Sequence, residues 1–263
     1  MNNRMYFRDL KSPFIAGIIE QETIKASMAD ILNSEHDGAE AFMVNVSYLS
    51  DEDRTIENLR QIFNATSRPV MPLVYRVGSL SSKSDEELVQ EIWKCIEAGA
   101  KSIDVMGDLF DRDPVRQLTR SEDAILRQKA FIEKLHKKGV EVLVSSHATV
   151  EMTGEEALEH MQSQKDRGAD ITKLVSRVNS EDSLVENVRT LVMLKKNMEV
   201  PFIFVGKGCY GRLQRYFAPV LGSMLSFAVS KYTPISMWEQ PTICAARMVL
   251  DEMTWHQLNE ELP

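Results

Sequence analysis

Short apolar runs alternate with longer stretches of helical period along the whole chain. The runs are 14–19 (FIAGII), 41–46 (AFMVNV), 70–74 (VMPLV), 102–106 (SIDVM), 140–145 (VEVLVS), 171–176 (ITKLVS), 201–205 (PFIFV) and 224–228 (MLSFA). The stretches after them predict helices over 22–33, 51–63, 84–97, 121–137, 154–165, 180–196, 211–221 and 242–253. Ser84 with Glu87 three residues on is a capping-box signal, and 108–119 is an extra polar stretch before the fourth helix.

Eight strand-then-helix units of roughly 30 residues match the βα repeat. A (β/α)8 TIM barrel needs about 250 residues, so 263 residues fill one barrel domain over 1–263 with little left over. Gly-Ala before a polar residue recurs at Gly38, Gly99 and Gly168, each where a helix should end in a left-handed cap before the next strand. The rival, a doubly wound open sheet, calls for a glycine-rich phosphate loop after an early strand, and none follows Ile19.

Composition narrows the function classes. The net charge is −8 and no basic block stands out, which argues against a nucleic-acid partner. Cys95, Cys209 and Cys244 are widely separated and fit a reducing cytoplasm better than a disulfide framework. The opening MNNRMYFRDLKSP lacks a signal peptide's apolar core, and no run approaches a membrane span. Methionine is unusually frequent, 14 against 12 glycines.

In a barrel of this type chemistry gathers at the C-terminal ends of the strands. Lys173 lies in the middle of the sixth run, where a buried ammonium loses hydration and becomes a nucleophilic amine. A lysine paired with a carboxylate, or one snorkelling from a strand end, fits the same pattern. His147 follows the fifth run, on the neighbouring strand, as a proton shuttle or a structural loop histidine. In VGKGCYGRLQR, Arg212 near a helix start can clamp an anion or lie on the surface, with Lys207 assisting or solvated. Gln240 lies between the eighth strand and the last helix. Asp104 reads as a buried structural acid. Asp108, Asp111 and Asp113 are a solvated acidic loop or a divalent-cation loop, and their spacing fits no known cation motif.

The chain resembles the type I 3-dehydroquinate dehydratase family over most of its length. ADITKLV is similar to the segment whose lysine forms an imine, at Lys173, and VLVSSHATVEMTGEEA to the segment of the proton-moving histidine, at His147. GKGCYGRL resembles the loop of the carboxylate-binding arginine, at Arg212, and EQPTICAARMVL places the carboxylate-binding glutamine at Gln240. Three departures stand out. Met43 and Asn45 occupy the places of a glutamate and an arginine, and Met106 that of the glutamate partnering the histidine. The strand-three arginine is displaced: Arg76 comes two residues early, with Gly78 at the matching place.

The resemblance implies a homodimeric shikimate-pathway lyase with no cofactor beyond a covalent imine on Lys173. Its substrate would be a small carboxylated carbonyl compound. Asn45, Arg76, Met43 and Met106 would line the pocket with Arg212 and Gln240. Fewer polar groups imply 3-dehydroquinate or a less hydroxylated cyclic ketone. A class I aldolase and a non-catalytic metabolite-binding descendant are the alternatives.

Overall fold

The computed structural model describes residues 5–258. Eight parallel strands follow one another around a barrel: β1 (Phe14–Ile19), β2 (Ala41–Asn45), β3 (Val70–Leu73), β4 (Ser102–Met106), β5 (Glu141–His147), β6 (Ile171–Arg177), β7 (Phe202–Lys207) and β8 (Leu225–Ala228). The ladder runs β8-β1-β2-β3-β4-β5-β6-β7, and the β7–β8 seam is bridged by Met224 N–H donating to Phe202 O at 2.7 Å. This sequential order is that of a (β/α)8 barrel and excludes the doubly wound sheet.

The helices are α1 (Ile24–His36), α2 (Ile56–Phe63), α3 (Asp85–Glu97), α4 (Glu122–Lys137), α5 (Gly154–Asp166), α6 (Glu181–Asn197), α7 (Gly211–Phe217) and α8 (Ile243–Leu258). Ser84 and Glu87 form the expected capping box on α3. Gly38, Gly99 and Gly168 take φ of +105°, +104° and +102°, the positive-φ helix ends that the Gly-Ala pattern marked. α7 stops at Phe217, four residues short of expectation, and Pro219 follows close behind. The 108–119 stretch forms turns and irregular loop rather than a helix. No helix among the described residues is long and apolar enough to cross a membrane.

Strand alternation divides the core. Ala16, Ile18, Met43, Met71, Leu73, Leu143, Ile171, Ile203 and Phe227 pack together inside the barrel. Ile15, Phe42, Val44, Ile103, Val105 and Val144 face the helices. The turn Phe7–Asp9 closes the N-terminal end: Phe7 is fully buried, and the Phe7 and Arg8 amides donate to the Glu141 carboxylate at 3.0 and 3.1 Å. The C-terminal end is left for chemistry.

Helix glutamines staple the strands beneath that end. Gln164 of α5 accepts from Lys173 N–H at 3.1 Å and donates from Nε2 to Lys173 O and Ser146 Oγ, each at 3.0 Å. Gln214 of α7 grips Gly206 N–H and Phe204 O of β7 in the same way. The staple fixes the β6 backbone at the residue whose side chain enters the site. Replacing Gln164 by Leu orphans buried backbone groups, so Gln164→Leu is expected to lower stability by about 2–3 kcal/mol in urea unfolding.

Candidate active site

The C-terminal mouth is built by extending each strand's inward parity one step beyond its apolar core. β6 supplies Lys173, which is 4% exposed. Its Nζ donates to Tyr75 Oη at 3.0 Å and lies 3.5 Å from Asp104 Oδ2. The Phe227 and Tyr75 ring centroids are 5.1 and 5.5 Å from the same nitrogen. Asp104, fully buried on β4, accepts from the Tyr75 hydroxyl and from Ser145 Oγ, each at 2.5 Å. Both open readings of Lys173 therefore meet in one geometry: the amine is buried, and it faces a carboxylate.

Burial pushes the Lys173 pKa down, and Arg215 pushes it further, while Asp104 and Glu20 pull against them. Burial and the neighbouring Asp104 charge hold the Tyr75 phenol well above its usual range. Tyr75 stays a neutral hydroxyl that can accept from an amine and donate to a carboxylate.

His147 ends β5. Its backbone N–H donates to Gln117 Oε1 at 3.0 Å, and its ring meets Tyr75 edge-on with centroids 5.3 Å apart. Burial lowers its pKa well below the usual imidazole range, reinforced by Lys173, Lys207 and Arg215. The imidazole is a neutral base in a cationic surround.

Met43 is fully buried in the barrel interior. Asn45, also buried, donates to Glu20 Oε1 at 3.4 Å. Glu20 Oε2 is buried without a hydrogen-bond partner, and burial raises the carboxyl pKa. The Met106 sulfur lies 3.6 Å from Arg76 Nη1. Arg76 itself is taken up by Asp85 at 2.6 Å and Asp108 at 2.8 Å, which leaves it less charge to offer a ligand.

The remaining loop acids each brace the chain. Asp108 accepts from Asp113 N–H, Asp111 from Thr119 Oγ1, and Asp113 from Val115 and Arg116 N–H. Among the described residues no group of three or more metal-ligating side chains converges.

The arginine is where expectation and geometry part. Arg212 is exposed, donates to Trp238 O and lies over the Tyr232 ring. Arg215, three residues on and 3% exposed, turns to the barrel: Nε donates to Gly206 O at 2.9 Å and Nη1 is buried without a partner. Burial lowers its pKa to about 10. Gln240 is buried, with its Oε1 also unpartnered. Arg215 Nη1 and Gln240 Oε1 are thus the unpartnered polar atoms of this side of the mouth, where the cations Lys207, Lys173 and Arg215 stand among the acids Asp104, Glu20 and Glu239.

Tyr75, Glu20 and Arg215 escaped the sequence reading. Tyr75 and Glu20 sit two residues beyond inward-facing Leu73 and Ile18, so period-two counting carried past the apolar runs would have found them. Arg215 falls on the buried face of α7 with Gly211 and Gln214.

A sequential (β/α)8 barrel with a buried lysine at its C-terminal mouth defines a class of barrel with a C-terminal small-molecule site. The type I 3-dehydroquinase family model matches residues 16–256, and the chain belongs to that family. It is similar to a 3-dehydroquinate dehydratase of Alkaliphilus oremlandii (strain OhILAs), 24% identical over 169 residues, 62% of this chain and 61% of that protein. The alignment thus spans less than two thirds of that relative. The crystal structure of 3-dehydroquinate dehydratase from Geobacillus kaustophilus HTA426 superposes with a TM-score of 0.80 at 17% identity, covering 94% of this chain and 93% of that one. A type I 3-dehydroquinate dehydratase from Clostridium difficile, with covalent modified comenic acid, gives 0.73 at 18% identity over 96% and 95%. At these identities the two structures bear on the fold alone.

Proposed function

We propose that this chain is a Schiff-base-forming lyase that dehydrates a small carboxylated cyclic ketone, 3-dehydroquinate or a less hydroxylated analogue. The observation that carries the reading is the Lys173 amine, buried at the mouth between the Tyr75 hydroxyl and Asp104, with His147 at the end of the neighbouring strand.

The neutral Lys173 amine attacks the ketone carbon, and loss of water leaves an iminium. The iminium withdraws electrons from the adjacent carbon, and neutral His147 takes its proton. The resulting enamine expels the β-hydroxyl, to which the His147 imidazolium returns the proton. Water then hydrolyses the conjugated imine and frees Lys173. The Tyr75 hydroxyl accepts a hydrogen bond from the amine and Asp104 stands behind it, which orients the nitrogen toward the carbonyl. Glu20, whose pKa burial raises, hydrogen-bonds a substrate hydroxyl on the β1 side.

The substrate carboxylate is assigned to Arg215 and Gln240, in place of Arg212. Arg215→Met is expected to raise KM about 10- to 100-fold, the loss of one charge-assisted hydrogen bond. Arg212→Ala should leave KM within about twofold. Equal effects of the two changes in steady-state kinetics would return the role to Arg212.

Borohydride reduction in the presence of 3-dehydroquinate tests the whole reading. The peptide containing Lys173 should gain the reduced adduct by mass spectrometry. No adduct with any carboxylated cyclic ketone would sink it. The Tyr75 hydroxyl on the amine also suits a retro-aldol cleavage, and product analysis separates two carbonyl fragments from one conjugated acid.

A further inference from the structure

A second cavity, of about 270 Å³, lies outside the barrel mouth, between the loop after β4 and helix α5. Arg116, Arg120, Arg167, His160, Glu156 and Glu159 contribute its polar wall. His160 is 5% exposed, and its Nε2 is buried with no hydrogen-bond partner. Arg167 is 3% exposed, and its Nε is likewise unpartnered. A buried imidazole nitrogen and a buried guanidinium N–H without partners are costly; an acceptor in the cavity satisfies the Arg167 N–H, and His160 too in its Nε2–H tautomer.

We propose that this cavity binds a compact phosphate dianion, held by Arg116, Arg120, Arg167 and His160. Arg116 and Arg120 offer guanidinium groups to a tetrahedral oxyanion, and Arg167 its free Nε–H, since its Nη1 and Nη2 are taken by Gly107 O, Gln128 Oε1, Thr119 O and Ser163 Oγ; the three cations outnumber Glu156 and Glu159 by one charge. Arg116 is braced by Glu156 at 2.6 Å, and Arg167 is fixed by Gly107 O and Gln128 Oε1, each at 2.8 Å. Arg120 has no hydrogen-bond or ion-pair partner among the described residues. Burial, with the fields of Arg167 and Arg116 and a smaller one from Arg120, holds His160 at a pKa of about 3 against the opposing pull of Asp113. The cavity wall therefore carries one cation more than its two acids, and Arg120 is the one left without a partner among the described residues.

Its position gives binding a consequence. Leu118 and Thr119 line the cavity, and the preceding Gln117 accepts the His147 N–H through Oε1 and the Ser146 hydroxyl through its carbonyl. Gln117 holds this double contact at a φ of +51°. An anion drawing on Arg116 and Arg167 bears on the same segment that seats the histidine of the barrel mouth.

The test follows the His160 ring signals of the full-length chain by NMR during titration with inorganic phosphate, then with glycerol phosphate. Saturable shifts are expected, at least tenfold weaker in affinity in Arg120→Gln and in Arg116→Gln, both on the cavity wall away from the packed Arg167. Tighter binding of glycerol phosphate marks an ester ligand, and tighter inorganic phosphate the free ion. Absent shifts, shifts equally produced by chloride at matched ionic strength, or unchanged affinity in both variants would overturn the proposal. None of these readouts depends on turnover at Lys173.

Discussion

Lys173→Met is expected to abolish borohydride trapping and to lower kcat/KM by about 10⁴-fold or more. No other buried amine among the described residues stands at the barrel mouth, and under the proposed mechanism loss of this atom removes the pathway itself. Methionine is close in volume to lysine and belongs in the apolar layer with Met43 and Phe227. The variant should fold, since Asp104 keeps both its hydroxyl donors, Tyr75 and Ser145. Circular dichroism with a cooperative melt checks this. The pH dependence of stability gives a second readout. In the folded chain the Lys173 pKa is lowered, so between that value and the unfolded lysine value the unfolded chain binds more protons. The wild type should therefore gain stability relative to Lys173→Met as pH rises through that window, and lose it as pH falls through the folded pKa. Full activity in Lys173→Met would remove the imine from the mechanism.

Much of this arrangement was legible in the chain. Parallel strands buried on both faces read as apolar runs, and Gly38, Gly99 and Gly168 punctuate them because a left-handed cap admits glycine at little cost. A lysine in such a run stands out, since burying an ammonium needs a partner. The partner itself did not stand out. Tyr75 lies two residues beyond β3, and tyrosine in an apolar context looks like core; only the fold brings it to Lys173, 98 positions away. Glu20 likewise looks like the polar start of a loop, and it faces Asn45 across two strands.

Arg212 and Arg215 show a different limit. Both belong to the loop and short helix after β7, and a resemblance over a few residues points to the first. Helical geometry selects the second, because Gly211, Gln214 and Arg215 share the buried face while Arg212 turns outward. The methionines mark a real chemical change. Met106 meets the Arg76 guanidinium edge, and Asp85 and Asp108 carry that arginine's charge. Where the resemblance puts an acid beside His147, a neutral phenol stands at its edge; Asp104 keeps its place on β4, and Glu20 follows β1.

His147→Asn should lower kcat by about 10²- to 10⁴-fold while borohydride trapping on Lys173 persists, because imine formation precedes the proton transfer that the imidazole performs. Loss of trapping together with turnover would place His147 in imine formation instead. The pH profile carries the sharper content. Burial and the three cations Lys173, Lys207 and Arg215 hold the imidazole neutral, so the acid limb of kcat/KM should lie below the usual histidine range. Lys207 is half-buried at the end of β7, and among the described residues it has no ion-pair partner. Lys207→Met removes one of the repelling charges without touching a hydrogen bond to His147. The histidine then binds its proton more readily, and the acid limb should move to higher pH. A limb that stays in place in Lys207→Met would mean that another group titrates there. Glu20 is then the candidate, and Glu20→Gln would abolish the limb rather than shift it.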